Sequence, residues 1–289
     1  MSIPDFDAVV LAGGAGQRLG GISKPDVELA GRRLVDGVLV AVSDAREIVV
    51  VGDVEVPKGV HRTLEDPPYG GPAAGVAAGL DELARVGRPA PWTVLLACDL
   101  ADPVPALGRL VAAWAHAQSS PDVASEEHDG WCLEDSGGSP QWLFGIHRTD
   151  SLRTALTRLG DPRDRSMRSL FAESTLVTMA AGDDDVADID TWGDHARWSE
   201  RLAQERWADW IEDASEAVGI DPESVDVPGI QTLARQVAHD FERPMAPVGA
   251  YILGVAVGRL EEQGRPIDKE SLRQAIAATA RDQPRKDDH

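Results

Sequence analysis

The sequence predicts an α/β protein with a doubly wound, mostly parallel sheet, followed by a separate all-α region. Three observations carry that prediction. Short apolar runs that end in glycine or acid, Phe6–Leu11, Glu47–Asp53 and Trp92–Cys98, read as buried parallel strands. Segments of helical period lie between them, so the order is strand, helix, strand, the repeating unit of a doubly wound sheet. After Leu202 the strand signals stop, and apolar residues recur only at helical spacing.

The elements follow in order. Phe6–Leu11 is the first strand, and the glycines behind it allow a sharp turn and close approach to a ligand. Val27–Gly31 reads as a short extension and turn, and Leu34–Val42 as the first crossover helix. Glu47–Asp53 and Val60–Leu64 are the next strands. Gly71-Pro72 starts a helix, since proline suits the first turn, and Val76, Leu80 and Leu83 supply its apolar stripe. Trp92–Cys98 is the central strand, and Leu107–Ala117 a further helix. Ser119–Gly138 is polar and poorly patterned, and reads as strand edges and loops. Gly138–His147 reads as a loop entering a strand, Asp150–Leu159 as a helix, Thr175–Ala180 as a strand, and Trp192–Leu202 as a helix. Beyond it, helices around Trp207–Val218, Ile230–Phe241, Val248–Leu260 and Glu270–Ala280 predict a four-helix domain, with its tryptophan stripe as core and a disordered tail from Gln283. The expected domains are residues 1–202 and 203–289.

Composition narrows the function. The 289 residues carry 28 Lys and Arg against 49 Asp and Glu, a net charge of −21. Such a field repels nucleic acid, so no nucleic-acid partner is expected. It repels a nucleoside triphosphate as well, so a triphosphate site here must be locally basic or hold a metal. No apolar run approaches the ~20 residues that cross a bilayer, and the first residues have no basic and apolar leader, so no membrane partner or secretory signal is expected. Two cysteines, Cys98 and Cys132, make no disulfide framework, and a reducing cytoplasm is the expected compartment.

The loop Leu11-Ala12-Gly13-Gly14-Ala15-Gly16-Gln17-Arg18-Leu19-Gly20-Gly21-Ile22-Ser23-Lys24 joins a strand, a glycine turn and two cations, the makings of a triphosphate cradle. It is not a P-loop, because Ile22 and Ser23 separate the last glycine from Lys24. It is not the dinucleotide fingerprint either, because Leu19 stands where the third glycine belongs. Asp99 ends the central strand, where an acid meets the ligand crevice, and is the first candidate for binding Mg²⁺. Asp102 reads as a helix N-cap, and Cys98 as a buried strand residue. Arg163, Arg165 and Arg168 form the densest cationic cluster, suited equally to an acceptor phosphate or to pairing with Asp161 and Asp164.

The string LAGGxxxRxGxxxK resembles the signature of the MobA-like nucleotidyltransferases, whose resemblance extends over roughly Phe6–Leu202. It implies a nucleotide-diphospho-sugar-transferase-like, Rossmann-type fold and transfer of a nucleoside monophosphate from an NTP to a phosphorylated acceptor. It implies that Leu11, Ala12, Gly13, Gly14 and Lys24 hold the nucleotide, with Arg18, Lys24 and Asp99 catalytic. Gly52 lies at a strand end that borders the same crevice. Asp66 and the Gly71–Gly75 turn, in D-x-x-x-x-GPxxG, would contact the nucleoside. Asp190, in a segment similar to the family's (D/N)-(V/I)-(D/N)-T-P motif with Trp192 in place of proline, would share Mg²⁺ with Asp99 or cap the following helix. Gln141 and Trp142 would border a flat heterocyclic acceptor, and Arg163 and Arg165 its phosphate. Gly13-Gly14 resembles the guanylyl members, which implies GTP and molybdopterin. CTP with molybdopterin, another small phosphorylated acceptor, or a non-catalytic GTP-binding adaptor are the alternatives. Arg243–Val248 resembles a small uncharacterised helical domain found on these transferases, whose partner would be a molybdoenzyme or a protein of the cofactor pathway.

Overall fold

A computed structural model describes residues 4–13, 23–119 and 128–281. The Gly14–Ile22 part of the glycine loop, and with it Gly14 and Arg18, lies outside the described residues, as does the tail expected to be disordered. The chain divides into two compact units, Met1–Gln204 and Glu205–His289.

The first unit is built on a seven-stranded sheet of order β5-β4-β1-β6-β8-β7-β9. Its strands are β1 (Phe6–Leu11), β4 (Ile48–Val51), β5 (His61–Thr63), β6 (Trp92–Ala97), β7 (Gly130–Glu134), β8 (Pro140–Arg148) and β9 (Leu176–Ala180). β2 (Glu28–Leu29) and β3 (Arg32–Arg33) form a small separate hairpin. Within the large sheet β5, β4, β1 and β6 are mutually parallel, and β8 alone runs against its neighbours. The mostly parallel sheet expected from the sequence is therefore present.

Side-chain alternation along the strands splits the core into two layers. Ala8 and Val10 of β1 face one side, packing with α1 (Leu34–Ala41) and α3 (Pro103–Gln118). Val9 and Leu11 face the other, packing with α2 (Pro72–Val86), α4 (Thr149–Leu159) and the short α5 (Met167–Leu170). β1 and β6 are covered on both faces, which explains why their residues are apolar but for buried Asp7 and Thr93. α3 starts four residues earlier than its apolar stripe suggests, because Pro103 suits the first helical turn. Asp102 occupies the N-cap position, but its side chain makes no capping hydrogen bond. β7 emerges from the polar stretch, with Cys132 and Leu133 fully buried. Two core residues among polar neighbours were too few to signal it.

The helix beginning at Trp192 does not end at Leu202. α6 runs from Trp192 to Val218, through Ala203-Gln204-Glu205-Arg206, all good helix formers. Gly219, at φ 70°, ends it, with the Ile220 amide donating back to the Ser215 carbonyl. The second unit adds α7 (Val227–Asp240), α8 (Ala246–Glu262) and α9 (Lys269–Arg281), whose core includes Leu233, Val237 and Leu253. Its tryptophan stripe is not core as expected. Trp207 is 44% and Trp210 69% exposed, because α6 turns its buried positions, such as Ser215, elsewhere. No helix among the described residues is long and apolar enough to cross a membrane.

Candidate active site

The carboxyl ends of β1, β4 and β6 open into a cleft of about 430 Å³, where a doubly wound sheet places its ligand. Three pieces of chain meet there. Lys24 opens a 3₁₀ turn, Lys24–Asp26, fixed by buried Pro25. Asp99 follows β6. The segment Asp188-Ile189-Asp190 precedes α6.

A small hydrophobic cluster brings these pieces together. It contains Val27, Leu29, Leu34, Ala101, Ile189 and Trp198. Each charged residue of the site lies within three residues of one of these anchors. Backbone hydrogen bonds complete the clamp. Leu100 and Asp188 form an antiparallel bridge, the Ile189 amide donates to the Asp99 carbonyl at 2.9 Å, and the Ala101 amide donates to the Ala187 carbonyl at 2.9 Å. Ile189 is fully buried, so strand-like alternation turns Asp188 and Asp190 the other way.

The result is a cation among acids. The Lys24 ammonium donates to Asp99 Oδ2 at 2.8 Å and to Asp190 Oδ1 at 2.6 Å. Carboxylate oxygens of Asp99, Asp188 and Asp190 all lie within 4.8 Å of one another. Burial opposes the charge on Lys24, but its hydrogen bonds to Asp190 and Asp99 outweigh this and hold its pKa above the usual lysine value. Asp188 is pushed above the ordinary carboxylate range, first by desolvation and then by the charges of Asp190 and Asp99. The residue is nonetheless exposed overall, so the desolvation is local to the acid cluster. Three hard oxygen donors this close suit a divalent cation such as Mg²⁺, which takes one or two carboxylates and keeps its other positions for water and phosphate.

The other predicted residues divide into those that border the cleft and those that do not. Leu11, Gly13, Gly71 and Gly75 line it, together with Lys24 and Asp99. Gly71, at φ 86°, occupies the N-cap of α2 ahead of Pro72, so the amino end of a fifteen-residue helix opens on the cleft. A Cβ on Gly75 would stand 3.1 Å from the Leu11 side chain. Ala12 is buried, its amide donating to the Val51 carbonyl at 2.8 Å. Gly52 does not line the cleft. A Cβ there would lie 2.7 Å from the Ala12 carbonyl oxygen, so the glycine lets β1 and β4 close up behind the wall.

Asp66 is not at the cleft either. It lines a neighbouring groove with Ala77, Ala78 and Arg163, and its neighbour Glu65 borders the cleft instead. Glu65 Oε1 accepts the Tyr69 amide at 3.1 Å, and Tyr69 is itself held at φ 66° on the rim. Arg163 is committed to an ion pair with Asp161, whose carboxyl its hydrogen bonds hold down to about 2. The Asp164 amide donates to the Gly70 carbonyl at 2.7 Å, and this straps the loop holding Arg163 and Arg165 against the start of α2. Gln141 donates to Asp135 Oδ2 at 2.9 Å in the β7–β8 turn, and Trp142 packs on the α4 layer with Arg168 over its ring. Leu143 rather than either of them reaches the cleft. Thr191, the other residue of the Asp190 segment suited to capping, caps α6, its hydroxyl accepting the Asp194 amide while Asp194 accepts the Thr191 amide. Cys98 borders the cleft, but burial pushes its thiol far up, so it stays protonated.

Asp188 and Glu65 were missed in the sequence. Asp188 did leave a signal, since acid-apolar-acid at residues 188–190 is what a strand-like segment needs to show two carboxylates on one side of a buried anchor.

A mostly parallel α/β domain with a helix amino end, a glycine-lined wall, a lysine and an acid triad around one cleft defines a phosphate-handling domain of the NTP-transferase type. The sequence profile described as the MobA-like NTP transferase domain matches residues 8–178, and the chain belongs to that family. A second profile, described as a domain of unknown function (DUF6457), matches residues 195–288. The molybdenum cofactor guanylyltransferase of Rhodopseudomonas palustris is 39% identical over 102 residues, 33% of this chain and 49% of the relative. That of Pseudomonas putida is 36% identical over 105 residues, 34% of this chain and 52% of the relative. The chain thus spans about half the length of the curated relatives it matches. Molybdopterin-guanine dinucleotide biosynthesis protein A of Archaeoglobus fulgidus superposes with TM-score 0.50 at 20% identity, over 69% of this chain and 100% of that one. A crystal structure from Mycobacterium tuberculosis gives the same figures. Both show the shared fold.

Proposed function

We propose that the chain is a metal-dependent nucleotidyltransferase that moves GMP from GTP to the phosphate of molybdopterin and releases pyrophosphate in the cytoplasm. The observation that carries this reading is the Lys24 ammonium within 2.8 Å of Asp99 and 2.6 Å of Asp190 at the carboxyl ends of the strands. The curated relatives named molybdenum cofactor guanylyltransferase support the choice of nucleotide and acceptor.

The acceptor phosphate is already ionised at neutral pH, so its oxygen can attack the α-phosphorus with no general base, and the bond to the pyrophosphate oxygen breaks. Catalysis then consists of positioning and charge neutralisation. The amino end of α2 and the glycine wall around Gly13, Gly71 and Gly75 receive the nucleotide with backbone groups rather than side chains. Lys24 exchanges its carboxylate partners for the phosphate chain. Asp99, Asp188 and Asp190 would hold Mg²⁺, which supplies Lewis-acid neutralisation of phosphate charge. Glu65 at the rim offers carboxylate acceptors to base N–H donors, as a guanine edge presents.

The test is pyrophosphate release with each of the four NTPs, molybdopterin and Mg²⁺. GTP alone should support turnover. Lys24→Ala and Asp99→Ala should each lower kcat by about 10²–10³, the scale of losing one charge-stabilising group. Near-wild-type turnover in either variant overturns the assignment.

A further inference from the structure

The opposite end of the sheet carries a second cleft, of about 510 Å³. It lies at the amino-terminal ends of β1 and β6, and β1 runs from Asp7 beneath it to Leu11 at the first cleft. At about 3.3 Å per residue, the four steps from Asp7 to Leu11 put the two roughly 13 Å apart.

Its lining is unusual for a chain of net charge −21. Arg46 from the turn before β4, Arg88 from the loop after α2 and Arg153 from α4 converge there, and Asp150 is the one acid in the lining. Several arginines elsewhere in the described residues each hold an acid closely. Arg33 holds Asp36 at 2.8 Å, Arg109 holds Asp185 at 2.6 Å, and Arg197 holds Asp194 at 3.0 Å. In this cleft the pairing lapses. Arg88 has no ion-pair partner among the described residues. Arg46 reaches Asp5 only at 4.0 Å and Arg153 reaches Asp81 only at 3.9 Å, and those two acids are 71% and 83% exposed. Pairs so long and so wet contribute little.

The floor is rigid. Arg88-Pro89-Ala90-Pro91 is constrained by its two prolines. The Ala90 amide donates to Asp7 Oδ2 at 2.6 Å, the Thr149 hydroxyl donates to the Ala90 carbonyl at 2.7 Å, and the Thr149 amide donates to the Pro91 carbonyl at 2.9 Å. Asp7 is fully buried under this floor, with Oδ1 unpartnered, and desolvation holds its carboxyl above the usual range. Arg153 spends one donor on the Leu80 carbonyl at 2.8 Å. The guanidinium groups stand over a fixed base, and planar forked donors match phosphate oxygens.

We propose that Arg46, Arg88 and Arg153 form a second anion site, at the end of the sheet away from the nucleotide cleft, that binds a phosphate-class oxyanion of pyrophosphate size. The same chemistry could come from free diphosphate or from the phosphate chain of a nucleotide.

The test is calorimetric titration of the full chain with pyrophosphate, inorganic phosphate and GTP in low salt and without divalent metal. A Lys24→Ala background weakens anion binding at the first cleft. One pyrophosphate should bind per chain, at least tenfold tighter than inorganic phosphate. Arg88→Ala and Arg46→Ala should each weaken it at least tenfold, and Arg88→Glu should abolish it. Arg163→Ala, outside the cleft, should leave it unchanged. Arg88 pairs with no acid among the described residues, so its variants should melt with the parent, which separates loss of binding from loss of fold. Tighter binding of pyrophosphate than of GTP assigns the site to free diphosphate, and the reverse assigns it to a nucleotide's phosphate chain. No binding in the Lys24→Ala background, or undiminished binding in Arg88→Glu, overturns the proposal.

Discussion

Lys24 stands where a divalent ion would otherwise neutralise the acid triad, so it should compete with metal in the absence of nucleotide. Lys24→Met removes the charge and keeps most of the apolar stem. The two contacts broken are those to Asp99 and Asp190, at 2.8 and 2.6 Å. A unit-charge pair 4 Å apart is worth about 1 kcal/mol in water and about 4 kcal/mol at an effective dielectric of 20. The side chains are 17%, 26% and 34% exposed, so the setting is intermediate. Allowing for solvent screening, relief of this competition is worth about 1–2 kcal/mol, or about tenfold in affinity. Lys24→Met should therefore bind Mn²⁺ or Mg²⁺ about tenfold more tightly than the parent, while nucleotide turnover falls. Titration of Mn²⁺ followed by electron paramagnetic resonance measures the first quantity directly. Metal affinity equal to or below that of the parent would refute the reasoning, because it would mean that Lys24 does not shield these carboxylates.

Two further outcomes concern the scaffold. Gly79 of α2 faces the sheet, where a Cβ would collide with Val9 and stand 3.2 Å from Val51 Cγ2. Gly79→Ala should cost about 1–3 kcal/mol through overpacking, read as a lowered urea midpoint with an unchanged slope. His147 is fully buried, stacked on Phe171 at 4.7 Å, and burial lowers its pKa from 6.5 to about 4. The folded state holds this ring neutral while the unfolded chain takes up a proton. Stability should therefore be constant above about pH 6.5 and fall as pH drops towards 4, by about 3 kcal/mol at about 1.4 kcal/mol per pH unit. In His147→Phe that part of the acid loss should vanish, as shown by urea unfolding at pH 7 and pH 4.5.

Much of the first unit was legible because its signals are local. Phe6–Leu11 and Trp92–Ala97 are apolar but for Asp7 and Thr93 since both faces of the sheet are covered, and Gly71-Pro72 announces α2 by fixed backbone preferences. Lys24 and Asp99 were legible as ends of a loop and a strand. What failed depends on contacts distant in sequence. The partnership of Asp188 with Asp99 exists only through the antiparallel bridge at Leu100, which no window of sequence contains. The fold turns Glu65 rather than Asp66 to the cleft, in a loop without a period, where adjacent acids look alike. The tryptophans at 207 and 210 lie at core spacing, but spacing tells which side of a helix is apolar, not whether another element covers it.

The clamp between Asp99 and the Asp188–Asp190 segment bears on how the polypeptide can be divided. The recognised transferase region stops at residue 178 and the recognised helical region begins at residue 195. Two of the three clustered carboxylates fall in the stretch between them, which belongs to neither. Dissecting the polypeptide at those limits would discard two thirds of the acid triad, together with Ile189 of the cluster that positions Lys24, while sparing nearly all of the sheet.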